Sequence, residues 1–168
     1  PNLLGSTPNR DVSSFQEIFD NSAYRPDQLK IYPCSVVPYS ELYDVWKKGG
    51  YTAYSQEMLL NVLRRIKKLV PSYVRITRFI RDIPSTSIQD GNKNTNLREF
   101  LGVQCACIRC REPRIEGAKY AKEAKLMQKE YDASSGKEIF LSFEGHGYIF
   151  AFLRLRPGEK KAFVREIH

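Results

Sequence analysis

The chain has 168 residues and a mass of 19.4 kDa, with 42% hydrophobic and 27% charged residues, which suffices for the core of one domain or of parts of two and excludes a disordered chain. Its 27 Lys and Arg outnumber 19 Asp and Glu for a net charge of +8, a balance suited to a polyanion partner. Apolar runs such as Tyr148–Leu153 fall far short of the roughly 18 residues of a membrane span, and no charged-then-apolar leader opens the sequence, so a soluble, non-secreted, cytoplasmic chain is expected.

In chain order, Thr7-Pro8 opens a helix with Val12, Phe15, Ile18 and Phe19 on one face, ending near Asn21. Leu29–Tyr32 alternates as a short strand closed by Pro33 and Cys34. Ser40–Lys48 reads as a short helix burying Leu42, Val45 and Trp46 and stopped by Gly49-Gly50. Ser55 caps a longer helix whose stripe is Met58, Leu59, Val62, Leu63, Ile66 and Val70, with Arg64, Arg65, Lys67 and Lys68 turned mostly to solvent and Pro71 as its stop. From Tyr73 to Ile83 the period is two, placing Arg75 and Arg81 on one side and Arg78 on the other. Pro84–Asn96 is a polar loop, and Thr95 caps a short helix that Gly102 terminates. Gly117–Glu130 has helical composition, although Leu126–Tyr131 is equally compatible with a strand. The last third predicts strands at Glu138–Phe143, Tyr148–Arg156 and Ala162–His168, joined by turns at 144–147 and 157–158. Alternating helices and strands thus give way to an antiparallel meander, an α/β chain. Because it opens on Pro1 and stops at His168 within an expected strand, a piece of a longer protein is expected.

The charge is concentrated. Between Arg64 and Lys129 stand 16 Lys and Arg against 6 Asp and Glu, net +10, whereas the rest of the chain is net −2. Such a block is either a solvated face or a surface for nucleic-acid phosphates, with Tyr73, Phe79, Phe100 and Tyr120 interleaved as stacking groups or as core. Within the block, Cys105-Ala106-Cys107-Ile108-Arg109-Cys110 sets three thiols in six residues, a spacing that suits a soft divalent cation such as zinc. A structural site needs a fourth ligand, for which Cys34, His146 and His168 are the remaining sulfur or imidazole donors. Cys34 is favoured because it completes an all-thiolate set. Free buried cysteines, a disulfide and an iron–sulfur cluster are the alternatives, the last having looser usual spacings. Arg109, Arg111 and Arg114 favour thiolate at these positions. No Gly-rich phosphate loop, H-E-x-x-H, G-x-S-x-G or kinase set occurs, and paired carboxylates such as Glu112 and Glu116 read as solvated surface.

Several motifs in fixed order resemble the catalytic subunit of Elongator: Leu29-Lys30-Ile31-Tyr32-Pro33-Cys34, Tyr43-x-x-Trp46-Lys47-x-Gly49-x-Tyr51, Arg78-x-x-Arg81-Asp82-Ile83-Pro84 and Gly91-Asn92-x-x-Thr95-Asn96-Leu97-Arg98. Arg109-Cys110-Arg111-Glu112, Phe140–Glu144 and Leu153–Arg156 extend the resemblance over essentially the whole chain. It implies a radical S-adenosylmethionine domain joined to an acetyltransferase-like domain. It also implies carboxymethylation at C5 of the transfer-RNA wobble uridine (U34) from acetyl-coenzyme A. On that frame residues 1–84 resemble the later part of the radical barrel, 85–125 a metal-binding linker and 126–168 the opening strands of a GNAT-like acetyltransferase domain, which favours a strand at Leu126–Tyr131. The three cysteines resemble the zinc motif of archaeal and bacterial members, pointing to a prokaryotic source. In such barrels chemistry sits at the C-terminal strand mouths, so Asn2, Gly5, Ser6, Lys30 and Tyr32 lie nearest the reaction. Lys30 is the expected contact to phosphate or carboxylate and Tyr32 the expected stacking partner of an extruded uridine, with barrel filling as the plainer role of Tyr32.

The resemblance further implies that Arg75, Arg78, Arg81, Lys93, Arg98, Arg109 and Arg111 bind transfer RNA, that Cys105, Cys107, Cys110 and Cys34 hold zinc, and that further Elongator subunits or self-association supply partners. The cysteine set of the four-iron four-sulfur cluster and the glycine-rich coenzyme A turn do not occur in this sequence, so the chain by itself is expected to be inactive. A non-catalytic zinc-containing RNA-binding module is the alternative, and acetylation of protein lysine is a third reading.

Overall fold

A computed structural model describes all 168 residues, which form two compact units. The first comprises residues 1–17, 28–69 and 76–104, the second 18–27, 70–75 and 105–168.

In the first unit the longest element is helix α3, Gln56–Leu69, which follows the short helix α2, Glu41–Lys47, and the opening helix α1, Pro8–Asp20. Ser40 caps α2 by accepting from the Tyr43 N–H, and Ser55 Oγ accepts from the Met58 N–H at 3.2 Å to start α3. The α3 stripe buries Leu59, Val62, Leu63 and Ile66, as its period requires. Two cations expected in solvent are not there. Lys67 is buried with Nζ 3.3 Å from Val103 O, and Arg64 donates to Leu101 O at 2.9 Å and Phe100 O at 3.0 Å. Arg64 meets carbonyls left over at the end of the one-turn helix α4, Leu97–Phe100, which attract cations, and Lys67 meets a carbonyl of the segment that follows it.

Strand β1, Gln28–Lys30, pairs with β3, Arg75–Arg78. The expected strand over 73–83 is therefore much shorter, because its partner offers only three residues before Pro33 and a lone strand cannot satisfy its own N–H and C=O groups. Strand β2, Ser35–Val36, pairs antiparallel with β4, Asp90–Gly91, inside what reads as a loop. Gly91 has φ +109, and a Cβ there would stand 3.1 Å from Cys34 O, so glycine is required on both counts.

The second unit is built on a four-stranded antiparallel meander in the order β5-β6-β7-β8: Lys125–Ala133, Gly136–Gly145, Tyr148–Pro157 and Ala162–Ile167. β5 pairs with β6 at every position from Lys125↔Glu144 to Ala133↔Gly136. That pairing overrides the helical composition of 117–130, of which only a 3₁₀ turn at Ala118–Glu123 survives. Ser134-Ser135 and His146-Gly147 join the strands as two-residue turns with positive φ at both positions, the geometry that matches strand twist. Glu138, Phe140 and Ser142 of β6 and Phe152 and Arg154 of β7 are buried. The short helix α5, Ile108–Arg111, carries the cysteine segment, with the Ile108 N–H bonded to Val74 O at 2.9 Å.

Candidate functional site

Cys105, Cys107 and Cys110 converge, their sulfurs all within 4.8 Å of one another. Cys107 sits in extended backbone just before α5 and Cys110 lies inside it, so one tight turn folds the segment back on itself. The Cys107 N–H points at Cys105 Sγ at 3.5 Å, the kind of amide contact that supports a thiolate. Cys107 is buried, Cys105 half-buried and Cys110 exposed, and all four cysteines of the chain are free thiols. Hydrogen bonds with the Cys107 and Cys110 thiols, then burial, hold Cys105 far above its ordinary pKa. Three crowded soft donors with one open side fit a tetrahedral cation that takes a fourth ligand. Cys34 is not part of this group; it lies in the first unit, where its thiol neighbours the Tyr51 hydroxyl.

The cations named from the sequence fall into two sets. Arg111 is committed to the fold, donating to Ala106 O and Ser72 O at 2.8 Å each and to Glu144 Oε2 at 2.6 Å. Arg75 pairs with Glu112, which also receives Arg109 NH1 at 2.7 Å. Arg98 donates to Ile76 O at 2.7 Å and lies over the Phe79 ring, whereas Arg78 pairs with Asp82 at an exposed site. Arg81 and Lys93 are exposed and line one shallow cleft with Asn92, Asn94 and Thr95. Lys30 and Tyr32 flank buried Ile31, and both side chains are exposed.

Two arrangements gave no signal in the sequence. In the first unit Asp11 collects the Asn2 N–H at 2.7 Å, the Ser6 hydroxyl at 2.6 Å and the Tyr54 hydroxyl at 2.9 Å. Burial and then Asp11 push Tyr54 up to about 12. Asn2, with φ 66, also accepts from the buried Tyr51 hydroxyl at 2.8 Å, and burial first, then Cys34, raises Tyr51. In the second unit Arg154 donates to Glu166 at 2.6 Å and to Asp27 at 3.3 Å. Arg165 joins Asp27 to Glu138, and Arg156 completes the set on Glu138 at 3.3 Å. Burial raises Glu138 despite the opposing pull of Arg156 and Arg154. Carboxylates and arginines so far apart in sequence carry no motif, and each reads as surface.

Residues 26–107 match the radical SAM C-terminal domain family. The class is thus a mixed α/β chain that contains a radical SAM C-terminal domain. The tRNA uridine(34) acetyltransferase of Methanocaldococcus jannaschii is 42% identical over 99% of this chain, which covers 33% of that protein. Human Elongator complex protein 3 is 36% identical over 100% of the chain, which covers 35% of it. A solved structure of the archaeal Methanocaldococcus infernus Elp3 with an N-terminal deletion superposes with a TM-score of 0.87 at 40% identity, covering 100% of this chain and 45% of that one. Homologues named tRNA uridine(34) acetyltransferase and Elongator complex protein 3 thus match this chain along its full length, and the chain spans about a third of the length of these curated relatives.

Proposed function

We propose that this chain is a segment of an enzyme that modifies the wobble uridine of transfer RNA, adding a carboxymethyl group at C5. The observation that carries this is the homology along the whole chain to proteins named tRNA uridine(34) acetyltransferase. In this reading residues 1–84 belong to the radical barrel, 85–125 form a metal-bearing linker and 126–168 open a GNAT-like acetyltransferase domain. S-adenosylmethionine with a four-iron four-sulfur cluster would supply the radical and acetyl-coenzyme A the two-carbon unit. The thiols present do not have the spacing of that cluster, and no step is assigned to these groups.

This chain's own part is to hold substrate. Arg81 and Lys93, exposed beside one cleft, take phosphates, as do Arg78 and Arg109, both exposed. Arg75, Arg98 and Arg111, each also engaged within its own unit, are the further transfer-RNA contacts of this reading. Lys30 meets a phosphate or carboxylate, and Tyr32 stacks on the extruded base. Cys105, Cys107 and Cys110 hold zinc as a structural ion that takes a fourth ligand.

The test measures metal content and transfer-RNA affinity at two salt concentrations on one preparation. Stoichiometric zinc and binding that weakens steeply with salt are expected; substoichiometric metal refutes the zinc site, and binding indifferent to salt refutes the phosphate contacts. In the full-length enzyme, Lys30→Ala and Tyr32→Ala are expected to slow modification. Unchanged rates would remove both residues from contact with the substrate.

A further inference from the structure

The 3₁₀ turn Ala118–Glu123 and the β6–β7 turn share a patch of the second unit that the preceding sites leave unused. In a 3₁₀ helix side chains three residues apart eclipse one another, so Tyr120 and Glu123 form one ridge and Lys119 and Lys122 the next. The first ridge holds a histidine. The His146 ring stacks on Tyr120 with centroids 4.2 Å apart and planes 23° apart, and its Nε2 lies 2.7 Å from Glu123 Oε2. Tyr148 extends the pile, 6.3 Å from Tyr120 at 15°. Gly117 leaves room for that ring, since a Cβ there would stand 2.9 Å from Tyr148 Cζ. His146 and Gly147, with φ of 53 and 80, form the turn that carries the imidazole at the tip of the hairpin. There its side chain is 47% exposed. The second ridge is cationic: Lys119 and Lys122 are exposed, and Lys119 Nζ sits 4.9 Å from the Tyr120 centroid.

The geometry points to a base-stacking site for single-stranded RNA, in which a base lies on the outer face of the His146 imidazole and Lys119 and Lys122 take the flanking phosphates. Three near-parallel rings, with the imidazole tied to Glu123 by a hydrogen bond, present a fixed planar face, which is what a splayed base requires, and any base satisfies it because every base has a π-face. The neighbouring cations supply the sequence-independent share of binding. Duplex RNA, whose bases are already stacked on each other, has nothing to place there. The inference rests on the reading of this chain as an RNA-binding segment and adds to it a strand type and a position.

Fluorescence anisotropy on the whole chain tests it, with a labelled single-stranded ribo-oligonucleotide of about ten nucleotides, the same sequence as a duplex, and intact transfer RNA. His146→Ala is expected to weaken single-strand binding about tenfold and leave duplex binding unchanged. His146→Phe, which keeps an aromatic face, is expected to bind like the parent, and Lys119→Gln with Lys122→Gln to flatten the salt dependence. Unchanged single-strand affinity in His146→Ala, or equal loss in His146→Phe, overturns the stacking site. Because His146 is an exposed turn residue, circular dichroism of both variants is expected to match the parent. If the parent binds transfer RNA but the oligonucleotide ignores His146, only the stack fails; if the parent binds no RNA at low salt, the RNA reading fails with it.

Discussion

Arg154 is 1% exposed, with its guanidinium 5.1 Å from the Phe140 centroid and 5.4 Å from that of Phe152, and ion pairs to Asp27 and Glu166. Removing one member of a buried pair strands the other, a loss of about 3 kcal/mol or more. Arg154→Ala is therefore expected to lower the urea midpoint of the chain by that order, far more than Lys137→Ala on the exposed pair with Asp132. Glu138 adds a pH signature. Burial raises its pKa in the folded state, so the native chain binds the extra proton, and stability falls as pH rises from the ordinary carboxylate range through the raised value. Measured across that window, the parent should gain stability relative to Glu138→Gln on acidification; a difference independent of pH would show that Glu138 does not titrate there. None of this was legible in the sequence, where Asp27, Glu138 and Arg154 are scattered charges on an alternating pattern. The cysteine triad was legible because its members are contiguous, and a contiguous segment needs one turn to converge, whereas the Asp27 network needs the whole meander.

Helix α3 shows what periodicity determines. Leu63 is fully buried at the centre of its stripe, and Leu63→Ala is expected to cost about 3 kcal/mol from lost contacts and the cavity left behind. Ser55→Ala, which removes the cap on the Met58 N–H, should cost about 1 kcal/mol. Denaturant melts of both variants check the ratio. The stripe and caps of α3 could be read in advance because they depend on residues within the helix. By contrast, β2 and β4 hold two residues each and form only by meeting one another, so no local pattern announces them. The segment 117–130 goes the other way: a helix-favouring composition is outweighed by nine consecutive cross-strand pairs. Arg64 and Lys67 misled the reading of α3's outer face because the carbonyls they meet, at the end of α4 and just beyond it, lie more than thirty residues onward.

At the scale of the whole molecule, a metal held by Cys105, Cys107 and Cys110 is coupled to folding, because a ligand bound only by the native state adds stability, about 2.7 kcal/mol at a hundredfold excess over Kd. Zinc is expected to raise the thermal midpoint and a chelator to reverse it. Cys110→Ser, at an exposed position, should abolish the response without loss of the fold. A midpoint indifferent to zinc in the parent would exclude a structural ion. The meander has a separate consequence for the chain in concentrated solution. Its first strand β5 has one neighbour, β6, and shows Leu126 and Met127 at 60% and 52% exposure. Such rims are templates for pairing between molecules, held apart chiefly by like charge. Turbidity should therefore grow faster than linearly with concentration and accelerate as salt is raised, and an added lysine at Met127 should suppress it.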